Sequence, residues 1–140
     1  MFIQPRHFVR FIDGRAGSQI DIAFLPGELG AHIQTLQTSV SLRLDCARKL
    51  LRHNIKYEGF EYIQETIDSG ICLVEDEYRI KFLYMKDPVR PEIYFLLLKA
   101  EKFRRELWLV TFHRIHAKQF SARLNRAQIV RPHAEPDFMG

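Results

Sequence analysis

The run LWLVTFHRIH, residues 107–116, starts apolar and ends in Thr111, His113, Arg114 and His116. An apolar start suits a buried strand, and a polar end suits a strand whose tip opens into a cleft. Histidine is the side chain best fitted to exchange a proton near neutral pH. A threonine hydroxyl can donate to a phosphate oxygen, and Arg and Lys can hold developing negative charge. Together these are the parts of metal-independent RNA cleavage. A 2′-hydroxyl attacks the adjacent phosphate, a base takes its proton, an acid protonates the leaving 5′ oxygen, and cations stabilise the phosphorane.

Side-chain alternation decides which groups can meet. In EYRIKFLYM, residues 77–85, Tyr78, Ile80, Phe82 and Tyr84 share one face, and Arg79 and Lys81 the other. In 107–115, Leu107, Leu109, Thr111, His113 and Ile115 share a face, against Trp108, Val110, Phe112 and Arg114. If the Arg79/Lys81 face adjoins the Thr111/His113 face, four polar groups converge. His53, on the helix before the sheet, completes them. His53 and His113 are the candidate acid–base pair, with Thr111 orienting the phosphate. Arg79, Lys81, Arg114 and Lys49 are the candidates to hold it.

Each residue also has a plainer use. His53 can be a surface histidine, HRIH an exposed strand end, and Arg79 and Lys81 the solvated face of an edge strand. Arg104 and Arg105 suit a hairpin tip or a phosphate backbone better than chemistry. His113 and His116 point to opposite faces of a strand and have no Cys or carboxylate cluster beside them. No metal and no cofactor is therefore expected. The phosphate-binding and dinucleotide glycine motifs and the serine nucleophile elbow are absent.

The elements that must position these groups follow from period and breakers. HFVRFID (7–13) and SQIDIAF (18–24), separated by GRAG, read as a hairpin, and residues 31–40 as a short helix. Residues 41–56 predict a helix with Leu44, Ala47, Leu50 and Leu51 inward and Lys49, His53 and Lys56 on another face. Residues 57–69 predict a second, with Phe60, Ile63 and Ile67 inward, ending at Ser69-Gly70. Segments 71–75, 77–85, 93–100 and 107–115 predict four strands, with DPVRP (87–91) as a turn and EKFRRE (101–106) as a hairpin connection. A helix is expected over 117–128, followed by an irregular tail, 129–140. The expected fold class is α+β in one domain: helices first, then a roughly four-stranded antiparallel sheet and a C-terminal helix. Residues 1–40 form an N-terminal extension to a core of 41–128.

The 140 residues fit one domain, and 46% hydrophobic with 12% aromatic content can fill a core. The net charge of +4 is a mild bias, but its distribution is uneven. Residues 57–77 hold seven acids and no Lys or Arg, while 99–131 hold nine Lys/Arg against Glu101 and Glu106. Cys46 and Cys72 read as small core residues. No apolar run is long enough to span a membrane, and MFIQPRHFVRF lacks the apolar segment of a signal peptide.

The segments RHNIKYEGFEYIQETIDSG, EYRIKFLYM, YFLLLKA and LWLVTFHRI together resemble the Barnase–EndoU–colicin–RelE nuclease superfamily, in its phage-associated and toxin-like members. The resemblance covers about residues 41–128. It implies a helix histidine at His53, a strand cation at Arg79 or Lys81, and Thr111 with His113 on the late strand. It implies a toxin or effector ribonuclease that cleaves RNA, tRNA or mRNA, to a 2′,3′-cyclic phosphate. The expected place of action is the cytoplasm, with delivery from another cell or a phage if the protein is an effector. An acidic antitoxin or immunity protein would be its partner. The rival expectation is a non-catalytic phage-type protein on the same fold, binding a host protein or nucleic acid through Arg104, Arg105 and Arg123. A structural component using residues 1–40 as a docking arm is the third.

Overall fold

The computed structural model describes residues 4–53, 57–101, 106–125 and 128–131, without the side chains of His53 and Tyr57. The fold is α+β. Its sheet has seven strands in the order β1-β2-β6-β5-β4-β3-β7, not four. They are β1 Gln19–Phe24, β2 Ser39–Arg43, β3 Ile71–Val74, β4 Arg79–Asp87, β5 Glu92–Ala100, β6 Leu107–Ile115 and β7 Gln128–Arg131. The sheet is mixed: β2 pairs with β6 in parallel, and the other pairs are antiparallel. The helices are α1 Pro5–Ile12, the single turn α2 Gly27–Gly30, α3 Leu44–His53, α4 Tyr62–Ser69 and α5 Ala117–Leu124.

The expected N-terminal hairpin is replaced by a helix and a strand. Pro5 opens α1, and Phe8 and Phe11, three apart, bury on one helical face. GRAG then ends the helix rather than turning a hairpin, with Gly14 and Gly17 at positive φ. Arg48 of α3 donates two hydrogen bonds, 3.0 and 2.7 Å, to the Ile12 carbonyl at the end of α1. The expected helix at 31–40 is a single 3₁₀ turn, Ala31–Ile33, followed by β2, where Val40 and Leu42 alternate inward. The helix expected from 41 starts at Leu44, because residues 39–43 pair with β1.

Two layers of side chains cover the sheet. On one face Ile80, Phe82, Tyr94, Leu96 and Phe112 pack beneath α1, α3 and α4 in a core shared with Phe8, Phe11 and Phe60. Phe8 and Phe60 lie 4.7 Å apart, and Tyr94 stacks on Phe112 at 5.2 Å. Truncating a buried ring of this kind to Ala costs about 3–5 kcal/mol through lost burial and the cavity left. On the opposite face a smaller core of Leu73, Leu83, Ile93, Phe95 and Ile115 lies under Phe120 and Leu124 of α5. The rest of that face has no helix over it among the described residues.

The tail departs from expectation too. The last helix stops at Leu124, and Gln128–Arg131 form β7 against β3. Arg131 donates to the carbonyl oxygens of Ile67 and Gly70, which close α4. Residues 132–140, and the 102–105 part of the β5–β6 connection with Arg104 and Arg105, lie outside the described residues.

Candidate functional site

The site is a ladder of rows across three neighbouring strands. Strand β5 lies between β4 and β6, and its registers align Arg79–Lys99–Trp108, then Lys81–Leu97–Thr111, then Leu83–Phe95–His113. All nine lie on the face that α5 covers only at one end. Arg79, Lys81, Thr111 and His113 thus share a face. Neighbouring strands lie about 4.8 Å apart, so the Cα atoms of Lys81 and Thr111, two strands apart, are about 10 Å from each other.

One part of the alternation fails. The register shifts between Leu97 and Leu98, so Val110 is an extra residue in β6. Leu107 and Leu109 therefore join Phe112 in the helix-side core, and Trp108 joins Thr111 and His113. Simple alternation assigns these the other way round. The thiol of Cys46 contacts the bulge, with its sulfur 3.7 Å from the Leu109 carbonyl oxygen and 3.5 Å from that of Val110.

His113 is half-buried. Its Nδ1 is 3.1 Å from the Arg114 carbonyl oxygen. A carbonyl can only accept, so Nδ1 carries the hydrogen and Nε2 of the neutral ring is left as proton acceptor. The ring lies 5.5 Å from that of Phe95, tilted by 59°. The Arg123 guanidinium of α5 sits 3.9 Å over Phe95, and Lys81 Nζ is 6.0 Å from the same ring. Phe95 is a contact that strand alternation alone does not reveal, because it depends on register.

The two strand cations arrive with counter-charges. Lys81 pairs with Glu75 at 2.6 Å, and Arg79 with Asp76 at 2.7 Å. Asp76 also accepts from the Tyr78 and Arg79 backbone N–H groups. Those bonds, that from Tyr78 foremost, hold its carboxyl below the usual value, with the Arg79 guanidinium adding to them. The acidic run before β4 carried the signal: a short β3–β4 turn must fold Glu75 and Asp76 back beside the next strand's first residues.

Of the other expected residues, Arg114 and Lys49 do not gather at His113. Arg114 lies on the helix-side face, opposite Tyr94 in β5. The residue before it and the residue after it point to the other face, so Arg114 cannot share a phosphate with Lys81 across the sheet. Lys49 is exposed on α3, beside Trp108 and Lys99. Helix α3 ends at His53, whose side chain is outside the described residues, and the buried Ala47 and Leu50 of α3 join the helix-side core. His116 begins α5 in a reciprocal cap, its backbone N–H donating to Gln119 Oε1 at 2.9 Å. Among the described residues no group of three or more His, Cys, Asp or Glu could hold a metal ion, and no helix is long and apolar enough to cross a membrane.

Comparison of the chain with protein-family models, with curated proteins and with solved structures finds no match.

Proposed function

We propose that the protein binds RNA across the open face of its sheet and cleaves it without metal, with His113 as a proton-transfer group. The observation that carries this is the register that brings Lys81, Thr111 and His113 to one face. In the proposed step His113 Nε2 takes the 2′-hydroxyl proton as the O2′–P bond forms. Lys81 and the Thr111 hydroxyl hold the phosphorane oxygens. The P–O5′ bond breaks, and the 5′ oxygen leaves with a proton from a second acid, the part assigned to His53. The products are a 2′,3′-cyclic phosphate and a 5′-hydroxyl. The sequence resemblance to Barnase–EndoU–colicin–RelE nucleases implies the same chemistry, and an acidic antitoxin or immunity protein would meet the basic C-terminal third of the chain.

A specific observation favours a second reading, RNA binding without cleavage. Glu75 and Asp76 already neutralise the two cations that would serve the phosphorane. One experiment separates the two. Purified protein is incubated with total RNA in EDTA, beside His113→Ala and His53→Ala. Cleavage by wild type with loss in His113→Ala supports the nuclease. Intact RNA in every lane, with RNA still retained by the protein in a gel shift, supports binding alone. Cleavage undiminished in His113→Ala sinks the assignment of that residue.

A further inference from the structure

We propose that a second concave site on this protein, where β2, β6 and α3 meet, binds a nucleoside phosphate. It needs no cleavage chemistry, and Lys99 and Trp108, the row of the open face farthest from His113, form one of its walls. Strand β2 touches β6 at Ser41–Trp108, and the chain turns into α3 one residue after Arg43. Helix α3 then runs along the edge of β6 that β2 leaves open, held there by the Cys46 thiol at the bulge. Between helix and strand lies a pocket of about 640 Å³, within the range of sites that enclose small ligands.

Its lining is chemically lopsided. Arg43 comes from β2, Lys49 and Arg52 from α3, and Lys99 from β5. Asp45 and Glu101 also line it, so positive charge exceeds negative by two. None of the four cations forms an ion pair among the described residues. This sets them apart from Arg79 and Lys81, whose charges are already met. A concave wall with a net positive charge raises the local concentration of anions. The apolar part of the wall is Cys46, Leu109, Val110 and the half-buried Trp108, with the Arg43 guanidinium 4.8 Å from the indole ring centroid. An indole wall offers a base or sugar an apolar surface, which inorganic phosphate would leave unused. Phosphate beside Lys49, Arg52 and Lys99, with the base toward Trp108, uses both features. The ligand can be a free nucleotide or the phosphorylated end of a strand.

Trp108 is the sole tryptophan of the chain, so tryptophan fluorescence reports on this pocket and on the end of the open face that shares Trp108, and a mononucleotide isolates the pocket. The full chain is titrated with adenosine 5′-monophosphate, with adenosine, and with a short RNA bearing or lacking a 5′-phosphate. Saturable quenching is expected with the phosphorylated ligands and not with adenosine. The double variant Lys49→Ala/Arg52→Ala, altering two exposed side chains, should weaken it about tenfold or more. Equal quenching by the mononucleotide and the phosphorylated strand assigns the site to free nucleotides, and tighter binding of the phosphorylated strand than of the strand lacking its 5′-phosphate assigns it to strand ends. Unchanged fluorescence with both up to about 1 mM, the weak limit of useful affinity, overturns the proposal. So does equal affinity in a double variant with an unaltered circular dichroism spectrum. Mononucleotide binding is read here without any cleavage, so failure of the cleavage reading leaves this one standing.

Discussion

Phe95 stands between His113 and Arg123: the imidazole packs at its side, 5.5 Å between centroids, and the guanidinium covers its face at 3.9 Å. The ring thereby ties β5 to β6 and to α5, and it limits where the imidazole can sit. Phe95→Leu keeps most of the buried volume and removes the flat surface. Stability should fall by about 1–2 kcal/mol, since the change removes three buried carbons and the contact with Arg123. RNA cleavage in EDTA should fall about tenfold, as expected when a catalytic group is displaced by a fraction of an ångström to an ångström. A rate equal to wild type would show that the ring does not position His113.

Glu75 competes with any phosphate for Lys81. Glu75→Gln leaves the lysine free and adds one net positive charge to the open face. RNA affinity in filter binding should rise several-fold, and the dependence on salt should steepen by about one counterion. The melting temperature should hardly move, since partly exposed ion pairs contribute about 0–1 kcal/mol. An unaltered salt slope would mean that RNA runs elsewhere.

Gly70 has no room for a side chain. A Cβ there would lie 2.6 Å from the Thr66 carbonyl oxygen and 3.1 Å from that of Leu83. Both are backbone atoms, one in α4 and one in β4, so neither can swing aside. Gly70→Ala should destabilise the fold by about 2–3 kcal/mol through overpacking. Urea denaturation followed by circular dichroism measures it.

Arg131 closes α4 by donating to the Ile67 and Gly70 carbonyl oxygens, with its guanidinium 5.6 Å from the Phe82 ring centroid. Arg131→Met retains length and apolar contact but leaves two carbonyls without these donors. A loss of about 2 kcal/mol is expected from unmade charged hydrogen bonds. Faster tryptic cleavage after Arg126 would accompany it if β7 detaches as a unit.

Alkaline pH probes the opposite face. Burial, and after it the hydrogen bond and charge of Glu65, push the Tyr84 phenol up to about 12. Folding thus favours the protonated phenol. This contribution is complete below the ordinary value of 10 and is lost as pH rises from there through about 12. Tyrosinate absorbance should show Tyr84 titrating late. Glu65→Gln should bring it back toward its ordinary value.

Period and breakers made the second half of the chain legible. The strands over 71–74, 79–87, 92–100 and 107–115 lie where alternating and continuous apolar runs predict them. The first forty residues were harder. Phe8 and Phe11, three apart, fit the helical period and not strand alternation, but two apolar-rich runs either side of GRAG suggested a hairpin, and Pro5 was the further clue to a helix. Strand β2 has five residues and runs without a break into α3, so its Val40–Leu42 alternation merged with the helical stripe. The bulge at Val110 left no mark in composition, yet it decides that Trp108 joins the face of His113. The grouping of Lys81 with Thr111 was readable from alternation. The pairing of Lys81 with Glu75 depended on a turn whose geometry alternation does not address.

The parallel contact of β2 with β6 has a kinetic consequence. Cys46 and Val110, which meet at that junction, are 64 residues apart in the chain. The meander from β3 to β6 needs only local closures and can form early. The pair β1–β2 has no sheet to join until β6 exists, and an isolated two-stranded ribbon is marginal in water. During synthesis Ile20, Ile22, Val40 and Leu42, all buried in the folded protein, should therefore lack their sheet neighbours until β6 has emerged. Docking of this N-terminal ribbon is expected to be the late step of folding, with a chain stopped before β6 presenting an apolar ribbon that has no sheet to join.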